Sequence, residues 1–252
     1  MKFDDLDQKM RIYETCRDYC IPPEVYVVAR LDGRSFTKLT KEAMDFEAPF
    51  DIRFRDCMAE TVKHLMQCGF EVLFGYTESD EISLLFHPLE NSFNRKVRKL
   101  LSVLAGEASA FFSLKLGHVG VFDCRISELP SKSLVIDYFR WRNEDSFRNA
   151  LNAHCYWMLR KKGENVNAAT SFLSAKSVAD KNELLFENGL NFNELPSWQK
   201  RGLGVYWKDV FKPTMNQKTG EQIMAKRREI FIDYELPMKE AYGKFIEKFL
   251  EI

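Results

Sequence analysis

The stretch from Phe70 to Phe86 constrains the fold more than any other part of the chain. Phe70-Glu71-Val72-Leu73-Phe74-Gly75-Tyr76 and Ile82-Ser83-Leu84-Leu85-Phe86 are apolar runs of strand length, separated only by the polar Thr77-Glu78-Ser79-Asp80-Glu81. Two such runs around a short polar turn predict a β-hairpin, with carboxylates gathered at or near its tip.

The segments on either side set the context of that hairpin. Val25 to Leu31 is a β-branched and aromatic run ending at Asp32-Gly33, and reads as a buried strand closed by a turn. From Phe54, the positions Phe54, Cys57, Met58, Val62, Leu65 and Met66 repeat at helical spacing. Thr61 fills the remaining slot, Gly69 follows as a C-terminal cap, and His64 falls on the wet face. A second long helix is expected from Phe93 to Lys115, turning Phe93, Val97, Leu100, Leu101, Leu104, Ala108 and Phe111 inward, and Val119 to Ile126 reads as a strand. Helical patterns return near 141–161 and 171–186, and the last third is mixed. Strand, helix, hairpin, helix and strand in that order give an α+β fold, an antiparallel sheet covered on one face by helices.

Charge excludes one class of partner interaction. Lys plus Arg is 37 and Asp plus Glu is 37, so nucleic acid cannot be held by bulk positive charge and any polyanion contact is local. The N-terminus lacks the apolar core of a signal peptide and no apolar run approaches 18 residues, which reads as a soluble, cytosolic protein with no membrane partner. The cysteines 16, 20, 57, 68, 124 and 155 include no CxxC pair and read as reduced thiols.

Asp32 and the pair Asp80-Glu81 lie where buried strands surface, and two readings stay open for them. One is turn chemistry, since Asp-Gly and Ser-Asp favour turns. The other is a Mg²⁺ site, because Mg²⁺ takes oxygen ligands and recruits one or two carboxylates plus substrate phosphates. Two aspartates from neighbouring strands with a carbonyl such as that of Gly33 could hold two ions for an in-line phosphoryl displacement. Arg95, Lys96, Arg98 and Lys99 form an acid-free basic run, either a solvated face or a phosphate contact. No GxSxG, HExxH or GxxxxGK[ST] motif is present.

Arg30-Leu31-Asp32-Gly33-Arg34-Ser35-Phe36 followed by Ser79-Asp80-Glu81 closely resembles the signature of the tRNA-His guanylyltransferase family and its guanylyltransferase-like relatives. Asn91 to Lys99, Phe122-Asp123-Cys124-Arg125, Asp137 to Arg142, and Ala179-Asp180-Lys181-Asn182-Glu183 with Asn193-Glu194-Leu195-Pro196 match further family segments in order, over about residues 20–200. The resemblance implies a polymerase-palm-like catalytic core over 1–135, with a helical and mixed C-terminal part over 136–252. It implies adenylylation of a tRNA 5′-monophosphate by ATP, then attack by the 3′-hydroxyl of an incoming nucleotide, GTP or another NTP. Asp32 and Asp80 would be the catalytic carboxylates on two Mg²⁺ ions, with the Gly33 carbonyl completing one shell. Arg34, Ser35, Phe36, Thr37, Ser79, Lys96, Lys99 and Asn149 would join Asp32, Gly33 and Asp80 around the nucleotide, and Arg30, Arg95 and Lys181 would face the tRNA. Relatives assemble as tetramers.

One departure is informative. Where eukaryotic relatives carry HINxxYN, this chain reads Phe147-Arg148-Asn149-Ala150-Leu151-Asn152-Ala153, retaining only Asn149. That segment is associated with selection of tRNA-His, so the expectation is template-directed 3′-to-5′ repair of truncated tRNA 5′ ends. The alternatives are addition of a single 5′ guanylate to tRNA-His, or a non-catalytic tRNA-binding protein. Glu47-Ala48 stands where relatives often place a lysine.

Overall fold

The computed structural model describes residues 2–215 and 222–251. Six strands form one antiparallel sheet: β1 (Tyr26–Gly33), β2 (Val72–Glu78), β3 (Glu81–Phe86), β4 (Phe122–Leu129), β5 (Leu203–Met215) and β6 (Gln222–Asp233). Their spatial order is β4-β1-β3-β2-β5-β6, with β4 at one open edge. The helices are α1 (Phe3–Thr15), α2 (Phe36–Lys38), α3 (Ile52–Leu65), α4 (Val97–Leu116), α5 (Lys132–Lys161), α6 (Val166–Ser174), α7 (Val178–Glu187), α8 (Ser197–Arg201) and α9 (Lys239–Glu247). No helix among the described residues is long and apolar enough to cross a membrane.

The sheet is covered on both faces, not on one as its sequence suggested. Ala29, Leu31, Ile82 and Leu84 pack against α3 (Met58, Val62, Leu65) and α4 (Leu104, Ala108, Phe112). The alternate positions Val28, Phe74, Tyr76 and Leu85 pack against α5 (Val135, Phe139) and α9 (Tyr242, Ile246). Side chains alternate between faces, so the unbroken apolar runs in β1 and β3 require two covers. Each large side chain buried this way contributes roughly 1.5–3 kcal/mol. The division expected between 135 and 136 falls inside α5, and β5 extends the sheet by pairing with β2.

The helix ends follow local chemistry. Asp51 caps α3 by accepting from Arg53 N at 2.7 Å. The helix stops at Leu65 with Met66 as its cap, and Gly69 takes its positive φ in the link to β2. The second long helix begins at Val97, not at Phe93: Phe93, Asn94 and Arg95 all adopt positive φ, and Phe93 is exposed. The inward turn of Arg95 accompanies this, its guanidinium donating to Pro88 O at 3.0 Å and Val25 O at 2.6 Å.

Candidate active site

Strand register assembles a row of acids that no single motif contains. Asp123 of β4 pairs with Asp32 of β1, Asp32 with Glu81 of β3, and Glu81 with Glu78 of β2. Residues directly opposite in antiparallel strands share a face, so these carboxylates line one end of the face that α5 covers. Asp80 joins them from the two-residue turn Ser79-Asp80, in which Ser79 has φ 48°. The Gly33 amide donates to the Asp80 carbonyl at 3.0 Å, tying the end of β1 to that turn. Glycine is required at 33, since a Cβ there would lie 2.5 Å from the Phe36 ring.

The acids differ in their compensation. Arg142 of α5 grips Glu81 through a fork, Nε to Oε1 at 2.7 Å and Nη2 to Oε2 at 2.8 Å, and Arg30 stands 3.7 Å from the same group. Arg142 also reaches Asp145 at 3.2 Å, and Asp145 accepts from Asn149 at 3.2 Å. Among the described residues, no basic side chain lies within 4 Å of Asp32 or Asp80. Burial, with the neighbouring Asp32 charge adding to it, pushes the Asp80 carboxyl up to about 6. Burial and then the Glu81 charge push Glu78 up to about 8.

Two cavities meet at this row. A polar cleft of about 450 Å³ is bounded by Arg30, Asp32, Asp80, Glu81, Asp145 and Asn149. Beside it lies a pocket of about 100 Å³ with an aromatic wall of Phe46, Phe50, Phe54 and Trp198; Phe50, Glu78 and Ser79 belong to both. Arg55 lies over Trp198 at 4.8 Å and is the cation of that wall. The combination suits a ligand with a planar apolar part and an anionic part held through a cation.

Several sequence-predicted residues meet here: Arg30, Asp32, Gly33, Ser79, Asp80 and Asn149. Arg34, Ser35 and Thr37 are exposed in the turn leaving β1, where Ser35 has φ 62°. The Phe36 side chain is instead core, packed on Phe54, Phe112 and Phe122, and is closed to a ligand.

The basic run is elsewhere. Arg95 is buried and spends its donors on backbone carbonyls beside the start of β1, which corrects its expected role at tRNA. Lys96 bonds Asp18 at 2.9 Å, and Arg98 pairs with the same carboxylate. Lys96 and Lys99 follow Arg95 at the Val25 end of β1, roughly 20 Å from Asp32 by strand rise, and line neither cavity at the acid row. Lys181 lies on α7, its carbonyl against the Cys155 thiol, outside the cleft.

Sequence reasoning missed Asp123, Glu78, Arg142 and the aromatic pocket. Asp123 and Glu78 become visible only once the register is known; Arg142 lay in a matched segment without a role.

The donors fit Mg²⁺. Asp32 and Asp80 both offer hard oxygen atoms to the cleft, the Gly33 amide binds the Asp80 carbonyl, and Glu81 is taken by Arg142. Among the described residues, no group of three or more His, Cys, Asp or Glu side chains is arranged as a metal cage. Two carboxylates with waters and substrate oxygens are the usual Mg²⁺ set.

Comparisons with known proteins show the family. Residues 7–130 match the family model described as tRNAHis guanylyltransferase, and residues 133–236 match the Thg1 C terminal domain. A tRNA(His) guanylyltransferase of Schizosaccharomyces pombe is 34% identical over 190 residues, covering 71% of this chain and 72% of its own. A probable tRNA(His) guanylyltransferase of Drosophila melanogaster is 33% identical over 196 residues, covering 74% and 68%. A solved bacterial tRNA(HIS) guanylyltransferase (Thg1)-like protein in complex with ATP superposes with TM-score 0.75 at 25% identity, covering 98% of this chain and 100% of that one. The chain therefore belongs to the tRNA-His guanylyltransferase family, whose members are nucleotidyltransferases.

Proposed function

We propose that this chain is a Mg²⁺-dependent nucleotidyltransferase that rebuilds truncated tRNA 5′ ends by template-directed 3′-to-5′ addition. The observation that carries the reading is the unpaired couple Asp32 and Asp80, open to a polar cleft and adjoining an aromatic pocket. Carboxylates crowded together without cations are poor company for a polyanion unless a divalent ion lies between them. Bound there, Mg²⁺ would offset charge on the reacting phosphate oxygens and favour ionisation of the attacking hydroxyl.

Two displacements account for the reaction. A 5′-phosphate oxygen attacks the α-phosphorus of ATP and releases pyrophosphate; the 3′-hydroxyl of the incoming nucleotide then attacks the 5′-phosphorus and releases AMP. The protein's contribution is chiefly placement and electrostatics. The aromatic pocket receives a base, Arg55 supplies the cation on its wall where 47 and 48 are Glu and Ala, and Arg142 holds Glu81 away from the ion.

The bacterial relative bound to ATP, similar over nearly the whole chain, supports this reading. So does Phe147, whose ring packs 5.2 Å from Phe192 and offers no polar group for an anticodon base. The names of the eukaryotic relatives favour a second reading, single guanylate addition to tRNA-His. Incubation with Mg²⁺, ATP and nucleotides on two 5′-monophosphorylated substrates, tRNA-His and another tRNA lacking its first nucleotide, separates them. Extension of both supports repair; extension of tRNA-His alone supports the second reading.

A further inference from the structure

The acid row has a basic row beside it. One register step along the same face, Arg125 of β4 pairs directly with Arg30 of β1, behind Asp123 and Asp32. Arg30 is nearly buried, and its Nη1 lies 3.7 Å from Glu81. Arg125 is different: its side chain is 55% exposed, and its one carboxylate contact, Asp123 at 3.5 Å, is long and itself 62% exposed. Such a surface pair contributes little and leaves the guanidinium free to turn toward a stronger acceptor.

The position of Arg125 in the sheet distinguishes two sites for reactants. The aromatic pocket lies on the β2 side of the Asp32–Asp80 couple, where Glu78 and Ser79 form its wall. Arg125 lies on the opposite side, on β4, at an edge of the sheet with no strand beyond it among the described residues. In-line transfer places the two reactants on either side of the reacting phosphorus. A nucleotide held in the aromatic pocket therefore leaves the β4 side for the other reactant, and an open edge admits a bulky polymer. We propose that Arg125 binds the phosphate at the RNA 5′ end, which reaches the acid row across the β4 edge. This rests on the nucleotidyltransferase reading for the identity of the polymer. A guanidinium fork matches a terminal phosphate in a way an ammonium does not.

The test is equilibrium binding without nucleotide, so that no transfer takes place. The probes are a 5′-phosphorylated tRNA lacking its first nucleotide, the same RNA with a 5′-hydroxyl, and ATP alone. The wild-type protein should bind the phosphorylated RNA more tightly than the hydroxyl form. Arg125→Ala should weaken the phosphorylated RNA about tenfold and abolish that preference, leaving ATP affinity unchanged. Arg125→Lys should recover only part of it. The assignment is overturned if the wild-type protein shows no preference, if Arg125→Ala keeps it, or if ATP binding falls in parallel. Should the preference vanish with Arg125 while the wild-type protein transfers no nucleotide, the phosphate site stands and the proposed activity fails.

Discussion

Asp32 faces Glu81 directly across β1 and β3, and of the two only Glu81 is gripped by a cation. The sheet thus separates two similar acids by compensation: Glu81 is paired with Arg142, and Asp32 has no basic side chain within 4 Å among the described residues. Removing the cation exposes this difference. Arg142→Met leaves Glu81 buried with only Arg30 at 3.7 Å, and should cost about 3 kcal/mol. Thermal unfolding should show a fall of roughly 6–12 °C. An unchanged midpoint would show that the fork contributes nothing to the fold.

Asp80 should behave in the opposite way. Its folded pKa of about 6 lies above the ordinary carboxylate value, so its stabilising contribution is present below pH 4 and lost as pH rises through 6. At pH 7.5 without metal, the ionised group is a burden among its neighbours. Asp80→Asn should therefore hold or raise the midpoint by up to about 4 °C, while lowering transfer at least roughly 10³-fold. A lower midpoint would place Asp80 among the structural acids.

Gly33→Ala tests the close approach behind the row. The added methyl meets the Phe36 ring, which is locked between Phe54, Phe112 and Phe122 and cannot yield. A loss of about 1–3 kcal/mol is expected, measured by denaturant unfolding. Transfer should fall with it, because the Gly33 amide anchors the Asp80 turn.

His154 supplies a pH dependence remote from the row. It is buried against Phe50 and Phe192, and burial lowers its pKa from 6.5 to about 4. Between those values the unfolded chain takes up a proton that the folded chain refuses. The contribution of the neutral His154 is complete above pH 6.5 and declines as pH falls toward 4, by on the order of 2 kcal/mol after solvent screening. His154→Phe should flatten the unfolding midpoint between pH 7 and 5; an undiminished slope would assign it to another group.

The hairpin, and the placing of Asp32 and Asp80 where strands end, were legible in sequence because apolar runs and turn residues are local signals. The two-residue turn Ser79-Asp80 between β2 and β3 falls within the polar stretch expected there. What local pattern could not give is register. Asp123 and Arg125 lay in an expected strand and a matched segment without a role until pairing set them against Asp32 and Arg30. The basic run failed for a related reason. Helical spacing placed Arg95 on a wet face, whereas three successive residues at positive φ and the free carbonyls of Val25 and Pro88 turned it inward. The second cover of the sheet was hidden because α5 carries polar residues toward the cleft along with its apolar contacts.

In the proposed reaction, Asp32 and Asp80 direct nucleotide transfer to an RNA 5′ end. A 3′-labelled, 5′-monophosphorylated tRNA lacking its first nucleotide, incubated with Mg²⁺, ATP and nucleotides, measures it on a sequencing gel. The wild-type protein should lengthen the RNA by one nucleotide at its 5′ end, and Asp80→Asn should leave it unchanged. An RNA that Asp80→Asn extends as fast as the wild-type protein would contradict the account.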